Sequence, residues 1–395
     1  MDLAYLSDWA SLLIRWLHLI AGIAWIGTSF YFIGLDNQLD PPRDGNPRVK
    51  GEQWSIHGGG FYHKQKYAVA PAQLPEKLHW FKWEAYWTWI SGFALFTLIY
   101  WGQASTYLID PAVLDMPPWL AVTISAVMLV AGWVIYDLVC KSKFGEDETK
   151  LTLFGIALLV VTAFVACHIF SGRGAFLQVG AMTGTIMVAN VAMVIIPGQR
   201  KMVAAMQAGR EPDPKYGRWG KQRSVHNTYL TLPVLFLMIS PHYPMTWSGP
   251  WNWVVLLAVT LAGALVRQFF VQRQFGRNPV LLPAAATVVV VGLMFLLQPK
   301  RGPDLAGVEV PPVERVQAIV ASHCATCHAA RPTFEGMAAA PKGVMLESPQ
   351  QIRRWAAAMR QQVATEAMPP GNVTEITPDE RAQLLAWIAA GAPLQ

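Results

Sequence analysis

The chain has 395 residues, 53% hydrophobic and 14% charged, with a formal net charge of +6 and 17 Trp. A soluble globular protein carries about 25% charged residues, so this composition excludes a disordered chain and argues against a large water-soluble enzyme. Residues 303–395 hold seven Lys+Arg against nine Asp+Glu, which leaves the basic excess to the rest of the chain.

Apolar runs of about 20 residues, enough to cross a hydrocarbon core of roughly 30 Å, predict an all-α polytopic domain of eight transmembrane helices. Their cores fall at residues 10–33, 80–101, 118–139, 151–170, 175–196, 227–243, 251–270 and 280–297. The sixth is short, broken by Pro233 and bounded by Pro241, as in spans that line a site. Lys and Arg concentrate in the loops after spans one, three, five and seven, among them Arg43, Lys64, Lys141, Arg210, Arg223 and Arg273. Basic loops stay cytoplasmic, so both termini are expected outside. No basic stretch precedes the first span, which therefore reads as a retained helix rather than a cleaved signal. The basic charge reports topology and implies no nucleic-acid partner.

Past residue 298 the composition becomes soluble. A Pro- and Gly-rich linker is expected at 299–312 and a small domain at 313–395. There Cys324, Ala325, Thr326, Cys327 and His328 spell C-x-x-C-H, the attachment signature of c-type haem. The close spacing presents two thiols to the porphyrin and an adjacent imidazole to the iron. A zinc site would need two further ligands, and Cys140 and Cys167 lie in spans instead. Met368, in the helix-breaking stretch Ala367–Gly371, is the preferred second axial ligand, with Met345 the alternative; Met359 falls in a helical pattern and reads as core. Thr377 and Pro378 open a last helix as N-cap and first helical residue. The domain reads as a small α-helical, class I-like cytochrome c.

Ionisable residues inside spans are costly and mark function by default. One level holds Arg15, His18, His168, Arg173 and His242, and the other His79, Glu84, Asp137, Asn190, His226 and Arg267. Snorkelling would account for Arg15, Arg267 and His242, and an interhelical hydrogen bond for Asn190. His18 sits deep in its span and reads as a haem ligand or proton relay, and His168 as a similar candidate nearer the surface.

Four strings, HLIAGIAWIGTSFYF from His18, HGGGFYH from His57, PEKLHWFKWEAYWTW from Pro75 and HNTYLTLPVLFLMISPHYP from His226, resemble the membrane-bound bacterial urate oxidase (urate hydroxylase) family, in which eight spans are fused to a cytochrome c. The resemblance implies oxidation of urate to 5-hydroxyisourate in the bacterial cytoplasmic membrane. Water would be the oxygen source, haem c the acceptor, and a soluble cytochrome c or terminal oxidase the next partner. In that chemistry His79, His226 and Glu84 are candidate bases. Arg267 or Arg173 would pair with the anion, and Trp80, Trp83, Tyr86 and Trp87 would stack on its ring. A cytoplasmic-side site lies a membrane's width from haem c, which calls for a relay such as a non-covalent haem b held by His18 and His168, or by one of them with another partner. The competing geometry sets urate near Arg173, Arg15 and His168. Rival functions are an electron-transfer anchor fed by quinol or a partner dehydrogenase, and a haem- or copper-handling protein.

Overall fold

The computed structural model describes residues 3–298, 305, 307–334, 337 and 339–394. Residues 299–304 and 306 of the expected linker, and the chain ends at 1, 2 and 395, lie outside the described residues. The first helix, α1 (Leu3–Asn37), leads into a hairpin of β1 (Val49–His57) and β2 (Gly60–Tyr67), followed by α2 (Trp83–Phe96), which continues as a π-helical turn over Thr97–Trp101. After the short α3 (Ala104–Tyr107) come α4 (Pro118–Lys141), α5 (Glu148–Ile169), α6 (Gly172–Ala189), α7 (Ile196–Gln207), α8 (Pro214–Ile239), α9 (Asn252–Gln274) and α10 (Leu281–Leu296). A π-helical segment, Asn190–Ile195, joins α6 to α7.

Among the described residues, five helical segments are long and apolar enough to cross a membrane: Trp9–Asn37, Pro118–Lys141, Glu148–Ile169, Gly172–Gln207 and Asn252–Gln274. The second, sixth and eighth expected spans are also helical, but each departs from that standard. The α-helical part of α2 has 14 residues and α10 has 16, while α8 begins with a polar stretch holding Lys215, Arg218, Lys221 and Arg223.

The hairpin corrects the all-α expectation. Its strands pair antiparallel with Trp54 opposite His63, Ile56 opposite Phe61 and His57 opposite Gly60. The turn residues Gly58 and Gly59 have φ of 57° and 81°, the two positive angles that a tight type I′ hairpin demands and glycine supplies without strain. The hairpin is fastened to the end of α1 by an ion pair between Lys66 and Asp36.

α6 forms the centre. Its Phe176, Gln178, Val179, Met182, Thr183 and Ile186 are buried against α4, α5, α8 and α2. Trp16, Ile20 and Ile23 of α1 and Val288, Met294 and Phe295 of α10 are exposed, an apolar outer surface that suits lipid. Two ends of the bundle are thus defined, one carrying the hairpin and the other facing the C-terminal domain.

That domain packs α11 (Val313–His323), α12 (Pro349–Ala364) and α13 (Pro378–Ala389) around Val316, Ile319, Ile352, Met359, Leu384 and Trp387. Met359 is a core residue, as expected. Reciprocal side-chain caps open two helices: Ser348 with Gln351, and Thr377 with Glu380. The Thr377 backbone N–H, 3.1 Å from Glu380 Oε2, holds that carboxyl below its ordinary range because it favours the charged form.

Candidate functional site

Toward the hairpin end, α4, α6 and α8 bring six polar side chains together inside the bundle. Tyr136 Oη lies 2.6 Å from His226 Nδ1, and Asn190 Nδ2 donates to Tyr136 Oη at 3.2 Å and to Asn227 Oδ1 at 2.9 Å. Arg223, 2% exposed, donates to Asn190 Oδ1 at 3.2 Å and to Asp137 Oδ1 at 2.8 Å. Its guanidinium also lies 4.9 Å from the Tyr136 ring centre. With the Tyr136 oxygen accepting from Asn190, a His226 tautomer with a bare Nδ1 would take the phenol's proton as its hydrogen-bond partner. Asn190 opens the π-helical segment, a distortion that recurs at functional sites because it re-aims side chains.

Tyr136, Arg223 and Asn227 were not expected here from the sequence. Spacing carried a usable signal: Trp133, Tyr136, Asp137 and Cys140 share one face of α4, and Arg223, His226 and Asn227 share one face of α8, by the i, i+3, i+4 rule. Arg223 counts as a loop charge only while α8 is taken to start near residue 227; it starts at Pro214.

Arg267 is the second feature of this half. It is 3% exposed, its guanidinium lies 4.1 Å from the Phe30 ring centre, and its Nε and Nη2 have no hydrogen-bond partner. Snorkelling therefore does not describe it. A buried guanidinium with free donors is costly and has the planar fork that pairs with a delocalised anion. The neighbouring Gln268 accepts a hydrogen bond from Tyr229, one turn along α8 from His226.

The other candidates scatter. His79 is exposed before α2, edge-on to Phe81 at 4.6 Å, and Glu84 stands partly buried in the first turn of α2. Trp80 and Tyr86 pack with Trp25 on a core of Ala85, Val191 and Ile196, whereas Trp83 and Trp87 are exposed. His18 Nδ1 lies 2.9 Å from the Thr88 carbonyl and 3.2 Å from Ser91 Oγ, tight against Gly92. His168 is exposed, with Nδ1 donating to Phe164 O at 2.7 Å. The two histidines thus have separate partners, on α2 and on α5 itself. Arg15 is exposed and bonded to Ser11.

At the opposite end, a cavity of about 500 Å³ lies between the bundle and the C-terminal domain. It is lined by Tyr107, Asp110, His168 and Arg173 on one side and by Glu366, Ala367, Pro370 and Gly371 on the other. Arg173 Nε donates to Tyr100 Oη at 3.1 Å, and its guanidinium lies 4.7 Å from the Tyr107 ring centre. Gly371, at φ 57°, lies so close to the Ile109 carbonyl that an added Cβ would approach the oxygen to 2.5 Å. The stretch containing Met368 is therefore seated on the bundle.

The C-x-x-C-H residues follow α11. His328 Nδ1 donates to Val344 O at 2.9 Å, which leaves Nε2 as the metal-binding nitrogen. Burial pushes the Cys324 thiol up to about 12 and raises Cys327 as well, so both are neutral thiols. Met368 is partly buried, and its carbonyl accepts from Arg381 Nη1 at 2.8 Å while Arg381 Nη2 donates to Asn372 at 3.1 Å. Two thiols, an oriented imidazole and a thioether on an anchored backbone form a donor set that fits haem c. Met345 is 38% exposed without such an anchor. Arg381→Ala is expected to destabilise the domain by about 3–6 kcal/mol, since its two charge-assisted bonds contribute about 1.5–3 kcal/mol each. Thermal unfolding of the full-length protein followed at the haem absorption checks this.

Two families match the chain. The one described as urate oxidase N-terminal covers residues 4–298, and the one described as cytochrome C oxidase, cbb3-type, subunit III, covers residues 311–388. No curated protein and no solved structure matches it. With the helical bundle accounted for by the first match and the C-x-x-C-H domain by the second, the chain belongs to the urate oxidase N-terminal family, here fused to a cytochrome c domain.

Proposed function

We propose that the protein oxidises urate to 5-hydroxyisourate, with water supplying the oxygen, in a site between α8, α9 and the Tyr136–His226 pair. The observation that carries this reading is Arg267, a buried guanidinium with unpartnered Nε and Nη2. Urate is a planar, delocalised anion, and its binding would replace an uncompensated charge by a paired one. Tyr136 and His226 act as one base: a proton leaving the substrate enters at the phenol oxygen as the phenol's own proton passes to Nδ1. Asn190 and Arg223 hold the phenol in place.

Cys324 and Cys327 would attach haem c and His328 and Met368 would ligate its iron, and the group would supply a one-electron acceptor. All eight helical segments span the bacterial cytoplasmic membrane in this reading, with the cytochrome domain on the periplasmic side and the hairpin in the cytoplasm. Electrons leave to a soluble cytochrome c or a terminal oxidase.

The test is an anaerobic visible spectrum of the purified oxidised protein before and after urate, with product collected in ¹⁸O-labelled water. Reduction of the haem and label in the product are expected. An oxidised spectrum after urate, with rapid reduction by a quinol, would replace this reading with that of an electron-transfer anchor.

A further inference from the structure

A urate site near Tyr136 and an acceptor in the C-terminal domain are separated by much of a bilayer core of about 30 Å. His18 and His168, the expected holders of an intermediate haem, each have a hydrogen-bond partner of their own, the Thr88 carbonyl and the Phe164 carbonyl. Another feature joins the two ends. Tyr136 and Trp133 have ring centres 6.1 Å apart. Trp133, Phe93 and Trp101 all pack on the cluster of Leu129, Tyr136, Met182 and Ile186. That shared packing, rather than a ring-to-ring contact, links Trp133 to the next rings, which run as Phe93–Trp101 at 5.4 Å, Trp101–Phe96 at 5.8 Å, Phe96–Tyr100 at 5.3 Å and Tyr100–Tyr107 at 6.1 Å. Tyr107 lines the cavity opposite Ala367 and Pro370, the residues that flank Met368 and Pro369.

We propose that this aromatic file is an electron-hopping path, with Tyr136 and Trp101 as its two redox stations. The inference rests on the urate site proposed above. The stations are singled out by their surroundings. Tyr136 can lose an electron because its proton has an acceptor, His226 Nδ1, at 2.6 Å. The Trp101 N–H faces a hydroxyl, a poor proton acceptor, so a transient indole radical cation keeps its proton while an electron passes. Its Nε1–H donates to Ser125 Oγ at 2.8 Å, and that hydroxyl donates to Gln178 Oε1 at 2.6 Å. Phe93 and Phe96 are too hard to oxidise and serve as bridges, and so does Tyr100, whose oxygen accepts from the Arg173 cation. Phe96, Tyr100 and Tyr136 are buried, which keeps water from quenching a radical.

The electrons and protons balance as follows. Urate and water yield 5-hydroxyisourate, two electrons and two protons, and the electrons travel singly. Trp101 gives one electron outward, reducing ferric haem to ferrous, and is refilled from Tyr136. The Tyr136 proton moves to His226 as its electron leaves; the substrate returns an electron and a proton to the phenoxyl oxygen, and His226 releases the displaced proton to solvent before the second electron follows. The second electron follows after a one-electron oxidant such as ferricyanide has reoxidised the haem.

The test uses full-length holoprotein as wild type, Trp101→Phe and Trp101→Tyr. In anaerobic stopped flow, Trp101→Phe should slow urate-driven haem reduction by about 100-fold or more, and Trp101→Tyr should restore it to within about tenfold. Haem content and unfolding temperature should stay at the wild-type values in both. A readout without urate treats the ferric holoprotein with hydrogen peroxide and maps oxidised side chains by mass spectrometry. Wild type should be oxidised at Trp101 and Tyr136, and Trp101→Phe should lose the mark on Tyr136. An unchanged reduction rate in Trp101→Phe, a mark on Tyr136 that survives it, or a second, extractable haem in each chain would overturn the path. Failure of urate to reduce the wild type would overturn the urate reading instead, and the peroxide map would still decide whether the file conducts.

Discussion

Arg267→Met should weaken urate binding by about 100-fold or more while making the urate-free protein more stable. Two charge-assisted bonds from the guanidinium, at about 1.5–3 kcal/mol each, would be lost from the complex, and every 1.4 kcal/mol is about a factor of ten in affinity. In the free protein the same substitution removes a buried cation whose Nε and Nη2 have no partner. Replacing buried charge by an apolar side chain of similar volume is often stabilising, by about 1–4 kcal/mol. Equilibrium titration with urate and thermal unfolding without it measure the two effects separately. A structural Arg267, held only by the Phe30 face, would show the opposite: lower stability and unchanged affinity.

The second large effect is expected at the Tyr136–His226 pair. His226→Gln should lower the rate of urate-driven haem reduction by about 10²–10⁴-fold, the usual contribution of a positioned proton acceptor. Tyr136→Phe should cost a similar factor, because the two groups pass one proton between them. Residues acting as a unit are strongly non-additive, so the double variant should be little slower than either single one. Urate affinity should change far less than rate in all three. Additive losses, or a loss confined to affinity, would show that Tyr136 merely fixes the α4–α6–α8 packing.

The parts of this architecture legible in the sequence are those whose physics is local. A membrane demands long apolar runs, so the helical segments fall where hydropathy places them. The C-x-x-C-H site is written in five consecutive residues, and the Pro-Gly stretch around Met368 breaks helix wherever it occurs. The hairpin was hidden because a polar, basic loop between spans has no apolar face to announce strands; its signal was Gly58 and Gly59 between alternating Trp54, Ile56, Phe61 and His63. The candidate site was half legible. Asp137, Asn190, His226 and Arg267 stand out as costly residues inside spans, but Tyr136 looks like any membrane aromatic, and Arg223 was concealed by the early start of α8. Pairing across helices is tertiary information: that His18 bonds to α2 and His168 to its own helix is written in neither span alone.

The close approach of Gly371 to the Ile109 carbonyl bears on kinetics as well as architecture. An acceptor carried on the same chain meets its donor intramolecularly, at an effective concentration that the connection sets rather than the bulk protein concentration. Delivery of the first electron is then a unimolecular event whose rate does not fall as the protein is diluted, and a free competitor must outmatch the tether to intercept it. The docked loop narrows the search further by selecting one orientation. Any side chain at position 371 would therefore be felt as a misaligned encounter between two intact domains.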